Sequence, residues 1–239
     1  MPDIKRMKKL DLVGVFRELQ PDAYCIVKLP DDFPDYAIGS DLDLFCLDME
    51  LVAKKILSVV NAAVDEKTEI QVTTRPGQMY IDLVCGGKIH LRFDLYGDLP
   101  HYYNVHIKKC LFFNIVEDCR EITVMGGELT VKVPSEVDEA LLRYVEYHEW
   151  YAQRPDKIKH IEYLQYQIES DRIDVKSMFK KLHYYTALPR TLDDRVINKS
   201  FFYNGYIGYV GGLVRKVIKS MRNRGLIETL VLIKRRTFK

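Results

Sequence analysis

Hydrophobic and polar positions alternate along this chain with two different periods, and the change from one to the other marks its organisation. Leu12, Phe16 and Leu19 recur at helical spacing, which predicts an opening helix over 5–19 that Pro21 ends. Tyr24–Val27 is a short apolar run expected as a buried strand. The stretch from Leu29 to Asp35, with two prolines and three aspartates, reads as a loop. A strand follows over 41–47. Met49–Val64 then places Leu51, Val52, Ile56, Val59, Val60 and Ala63 on one broad face, predicting a helix laid on a sheet.

Three more strands are expected at 69–73, 79–85 and 88–96. Gly86-Gly87 between the last two is a hairpin signal, so those strands should be antiparallel neighbours. The order strand, strand, helix, meander predicts an α+β fold with a mixed, partly antiparallel sheet. Beyond residue 100 the pattern is indistinct until Gly126-Gly127, after which 128–133 reads as a strand. Ser135, paired with Asp138 as a capping box, opens a helix carrying Val137, Ala140, Leu141, Tyr144 and His148 on one stripe. A second helix is expected from Pro155, with Ile158, Ile161, Leu164 and Ile168 inward, and helices only from there on. The chain therefore divides into an α/β domain over 1–133 and a helical domain over 134–239.

Composition adds constraints. With 47% hydrophobic and 29% charged residues, this is the make-up of a folded protein with a real core. The five cysteines, Cys25, Cys46, Cys85, Cys110 and Cys119, are unclustered and sit mostly in apolar runs, as buried thiols of a reducing compartment would. No CxxC spacing suggests zinc. The first residues carry no apolar stretch of the secretory kind, so a cytoplasmic location is expected.

Net charge is only +2, yet nine of the basic residues lie beyond Val214 against the single acid Glu228. Leu213, Val217 and Met221 at helical spacing, with Arg215, Lys216 and Lys219 between them, would suit a helix lying on an anionic membrane face. Lys234, Arg235 and Arg236 extend that charge. Nucleic acid is a weaker candidate for it, and a plain solvated end accounts for the same composition.

The chemistry centres on Gly39-Ser40-Asp41-Leu42-Asp43-Leu44. On a strand, Asp41 and Asp43 project from one face while Leu42 and Leu44 enter the core. Carboxylates so close repel unless a cation lies between them, and hard ions such as Mg²⁺ or Mn²⁺ suit all-oxygen ligation. The Gly39-Ser40 turn would supply a hydroxyl and amides to phosphate oxygens. On the later hairpin, Lys88, His90, Arg92, Asp94 and Tyr96 share a face, which makes Asp94 a candidate third carboxylate. Asp82, on the partner strand, is the alternative.

This motif resembles the polymerase-β-type nucleotidyltransferase superfamily, whose strand carries Ser-Asp-hydrophobic-Asp-hydrophobic and whose third acidic residue lies on a later strand. The likeness covers roughly residues 20–100, and the helices at 135–170 are similar to the helical half of minimal and surface-polysaccharide-associated members. It implies metal-dependent transfer of a nucleotidyl or phosphoryl group from a nucleoside triphosphate or sugar nucleotide to a hydroxyl acceptor. Asp41 and Asp43 would hold the ions and the third carboxylate would help deprotonate the acceptor. Gly39, Ser40, Lys28 and Arg92 would contact phosphate, and the setting would be surface-glycan assembly at the inner membrane face.

The likeness is incomplete. Where most members carry an upstream Gly-Ser turn for the triphosphate, this chain has Lys28-Leu29-Pro30-Asp31-Asp32. A member without catalysis, serving as a binding module, is therefore the competing reading. Metal-dependent glycosyltransferases also use Asp-x-Asp, but there the pair follows its apolar strand, whereas here it precedes the apolar residues. His148 and His160, the latter flanked by Lys157 and Lys159, are expected on a solvated helix face, with phosphate binding in a cleft as the alternative, and the run Tyr203–Tyr209 in a packed turn, with stacking on a sugar or base as the alternative.

Overall fold

Asp11 starts the first helix: its side chain accepts from the Val13 amide, and α1 runs Leu12–Leu19 with Leu12, Val15, Phe16 and Leu19 buried. It is shorter than the 5–19 expected from periodicity. The Leu10 amide donates to the Tyr36 hydroxyl at 2.7 Å, which ties the preceding chain to the core instead of to a helical turn. The computed structural model describes residues 9–102, 105–152 and 159–188, with 218 and 221. Arg215, Lys216, Lys219, Lys234, Arg235 and Arg236, Lys157, Ile158 and the run Tyr203–Tyr209 lie outside the described residues. Ile218 and Met221 are helical and exposed.

The fold is mixed α+β. Strands β1 (Tyr24–Ile26), β2 (Ser40–Cys46), β3 (Thr68–Arg75), β4 (Gln78–Cys85) and β5 (Lys88–Tyr96) form one sheet in the order β1-β2-β5-β4-β3. β2 and β5 are parallel, and the other neighbours are antiparallel. Helix α2 (Met49–Ala63) follows β2 and is capped by Asp48, which accepts from the Leu51 amide at 2.9 Å. Val52, Ala53, Ile56 and Val60 are its buried residues, whereas Leu51 and Ala63, expected on the inner face, are exposed. The core gathers Leu42, Leu44, Ile81, Leu83, Leu91, Phe93 and Leu95 from the sheet against α1 and α2.

Two elements were not legible in the sequence. Helix α3 (Cys110–Glu117) places Phe112 5.2 Å from Phe45 of β2, ring centre to ring centre. No side chain caps its start at Lys109, so it lacks the usual opening signal. Strand β6 (Arg120–Val124) pairs antiparallel with β7 (Leu129–Val133), and Gly126 and Gly127 form the turn between them at φ of 65° and 113°. Cys110, at the start of α3, is exposed, unlike the buried Cys25 and Cys46, and all five thiols are free.

The chain forms two compact units. The first is 1–101 with 107–139, and the second is 102–106 with 140–239. Helix α4 (Glu136–Ala152) opens with Ser135, whose hydroxyl accepts from the Asp138 amide and donates to its carboxylate at 2.6 Å. In the second unit, α5 (Lys159–Glu169) buries Leu164 and Ile168, and α6 (Val175–Tyr185) buries Met178, Phe179 and Leu182. Among the described residues no helix is long and apolar enough to cross a membrane.

Candidate functional site

The acidic strand begins at a tight turn. Ser40 donates its amide to the Ala37 carbonyl at 3.1 Å, and Gly39 sits between them at φ +87°, a conformation that L residues rarely adopt. The Gly39 amide donates to the His90 carbonyl at 2.8 Å, which locks the turn to β5. Both amides of Gly39-Ser40 are thus spent inside the fold. The expectation that they face phosphate is corrected, and the Ser40 hydroxyl is the pair's remaining donor.

Register then assembles the site in rows across four strands. Asp41 lies opposite Arg92, Arg92 opposite Asp82, and Asp82 opposite Gln71; the next row reads Asp43, Asp94, Tyr80, Thr73. Residues in register on neighbouring strands present their side chains to the same face. Asp43 and Asp94, distant in sequence, become direct neighbours because β2 and β5 run parallel. Asp82 belongs to the first row, and both its oxygens are taken by Arg92, from Nε at 2.5 Å and Nη2 at 2.8 Å. Arg92, expected at phosphate, spends its planar fork on this pair and lies over the Tyr80 ring at 5.0 Å.

One member of the predicted face has moved. The register between β4 and β5 shifts at Leu83/Val84, leaving His90 without a partner on β4. His90 is consequently buried, 4% exposed, edge-on to Tyr36 at 5.7 Å, while Ile89 is 37% exposed. Burial holds the His90 pKa below its ordinary value.

Electrostatics concentrates on Asp94. The residue is 8% exposed, and Oδ1 has no hydrogen bond, the nearest cation being Arg92 Nε at 3.7 Å. Burial raises its pKa to about 7, with Asp43 the next cause; Arg92 opposes the shift, and Asp41 and Asp82 add to it. The Tyr96 hydroxyl donates to Asp43 Oδ1 at 3.4 Å, and burial with the nearby carboxylates keeps that phenol protonated. Lys28 follows Val27, whose amide donates to the Asp43 carbonyl at 2.9 Å, so it stands at the end of β1 next to β2. Tyr80 was not singled out from the sequence, and Tyr96 was placed on the Asp94 face without a role. The available signal was their place two residues from an acidic position on a strand.

These groups bear on a divalent ion in a specific way. Among the described residues, no three His, Cys, Asp or Glu side chains come together closely enough to hold a metal as they stand. The donor set is nevertheless all carboxylate, and Asp94 offers a buried oxygen with no proton donor beside a second carboxylate. Mg²⁺ commonly takes one or two protein carboxylates and completes its shell with water and substrate phosphate, which this pair fits.

The second unit holds a separate buried polar group. His160 is fully buried and meets Glu146 through Nε2, while Arg143 Nη1 lies 3.4 Å from its Nδ1 and Arg143 Cζ lies over the Tyr163 ring at 4.4 Å. His148 packs edge-on to Tyr144 at 4.8 Å, and burial lowers its pKa to about 4. The solvated-face expectation is therefore overturned for His160, which pairs with charged side chains inside the helical unit, while His148 is half-buried against Tyr144 and Tyr147.

No family model and no curated protein matches the chain. Two solved structures resemble it. One is a candidate nucleotidyltransferase from H. pylori, at 9% identity and TM-score 0.32, covering 84% of this chain and 92% of that one. The other is JHP933 from Helicobacter pylori, at 9% identity and TM-score 0.31, covering 89% and 95%.

Proposed function

We propose that this chain is a Mg²⁺-dependent transferase of nucleotidyltransferase type, passing a nucleotidyl or phosphoryl group from a nucleoside triphosphate to a hydroxyl acceptor. The observation that carries the reading is the register pairing of Asp43 with the buried, hydrogen-bond-poor Asp94 on adjacent parallel strands. Two carboxylates brought into one row in a water-poor place cost stability when both ionise, and a fold gains from that arrangement when a cation occupies it. Asp43 and Asp94 would hold Mg²⁺, with Asp41, exposed and two residues along β2, turning in to join them. The ion would supply charge neutralisation at phosphoryl oxygens.

The chain's own residues have separable tasks. Arg92, clamped by Asp82 and stacked on Tyr80, tempers the charge of Asp94 from 3.7 Å. Tyr96 orients Asp43. The Ser40 hydroxyl and Lys28 would contact phosphate, and Asp94 would help to deprotonate the acceptor.

The test is calorimetric titration of Mg²⁺ with a panel of nucleoside triphosphates, followed by a transfer assay. Binding to the wild type that Asp43→Ala and Asp94→Ala abolish is the expected result. No binding, or equal binding to the variants, would sink the proposal. A specific observation favours a second reading as a binding module without catalysis: both amides of the Gly39-Ser40 turn are engaged within the fold. Carboxylate-dependent nucleotide binding with no turnover would select it.

A further inference from the structure

The main sheet ends in two unlike edges. At one, β1 is three residues long and β7 lies beside it. At the other, β3 is eight residues long and stays in unbroken register with β4 from Thr68↔Cys85 to Arg75↔Gln78. Among the described residues no strand takes up its outer side. Glu69 and Gln71 to Arg75 are exposed, Val72 at 47%. An edge of this kind is a template for another strand, and folds blunt it with lysine, proline, bulges or short length. Thr68–Arg75 has no lysine, proline or bulge, and its two charges, Glu69 and Arg75, leave the five residues between them uncharged.

The charges on β3 select the occupant. We propose that β3 pairs antiparallel with β3 of a second copy of this chain, about a two-fold axis at Val72. That register sets Glu69 opposite Arg75 of the other copy, and the symmetry repeats the pair. Val72 meets Val72, Ile70 meets Thr74 and Gln71 meets Thr73, so no like charges face each other. Parallel pairing in register would instead set Glu69 on Glu69 and Arg75 on Arg75. Slipping by one residue breaks both ion pairs and turns Val72 to the opposite face. The antiparallel dimer joins the two five-stranded sheets into one and keeps the two acidic faces on the same side.

Sedimentation velocity of the full chain over a concentration series tests this. The wild type is expected to form a reversible dimer. Glu69→Arg alone and Arg75→Glu alone each put like charges at both symmetric positions and raise the dimer Kd by about tenfold or more. Val72→Lys sets two ammonium groups against each other at the axis, with a similar effect. The double variant Glu69→Arg/Arg75→Glu restores the opposite pairing, returning the Kd to within about threefold of wild type. Arg75 also lies over the Tyr80 ring at 5.2 Å, and Arg75→Glu and the double variant both remove that cation–π interaction, so the rescue reports the pairing between copies. All three positions are exposed, and far-UV circular dichroism verifies that each variant is folded. A wild type monomeric across the series, a dimer indifferent to both single reversals, or a double variant as weak as the singles overturns the proposal.

Discussion

Replacing Asp94 by Asn removes one negative charge from the most crowded position in the sheet and keeps the side chain's shape. In the wild type, burial and Asp43 raise the Asp94 pKa from 3.8 to about 7. Between those values the folded chain keeps a proton that the unfolded chain has released. Stability therefore falls as pH rises through this window, since it rises with pH only where the unfolded state binds more protons. A shift of roughly three units corresponds to at most about 4 kcal/mol. Asp41 is exposed and Arg92 is partly so, and water screening reduces the expectation to about 2 kcal/mol. Urea unfolding followed by circular dichroism at pH 4.5 and pH 8 measures it. The advantage of Asp94→Asn over wild type should grow by about 2 kcal/mol from the lower pH to the higher, with the urea dependence unchanged. Groups distant from Asp94 cancel in that difference. Mg²⁺ at pH 8 should stabilise the wild type and leave the variant unmoved. An identical pH dependence in the two proteins would refute the reasoning, because Asp94 would then ionise without cost.

Arg92→Met strips the partner from a carboxylate that is nearly buried and should lower stability by about 2 kcal/mol, measured by urea unfolding; Asp82→Asn added to it should recover part of the loss. Gly39→Ala should cost about 1 to 2 kcal/mol in thermal unfolding from φ strain alone, because its Cβ would meet only the Ile89 carbonyl, at an ordinary 3.9 Å. Phe112→Ala opens a cavity against Phe45 and should cost about 3 to 5 kcal/mol, seen as a lower urea midpoint. A loss under about 1 kcal/mol there would mean that α3 does not seal this part of the sheet.

Much of the architecture was legible in the chain. Alternation placed the strands of the main sheet within a residue or two, and Gly86-Gly87, at φ of 56° and 74°, marked the β4–β5 hairpin. The Ser135–Asp138 cap marked the start of α4. Periodicity works for these because each element buries one face, and burial selects residue types at a fixed spacing. It failed for α3, whose eight residues are too short for a clear period and too rich in Phe, Ile and Val to separate helix from strand. It also overextended α1, where a hydrogen bond to Tyr36 outweighs local helical preference.

The candidate site divides along the same line. That Asp41 and Asp43 share a face follows from the sequence, since a strand's alternation is a local property. Three things required the tertiary structure: that Asp94 rather than Asp82 stands beside Asp43, that Arg92 serves Asp82, and that the Gly39 and Ser40 amides are already bonded. Each depends on which strand lies next to which and in what register, and register is set by the whole buried face, not by any one strand. The bulge that turns His90 inward makes the point at a single residue. Its position in the sequence predicts one face, and one extra residue between paired strands sends it to the other.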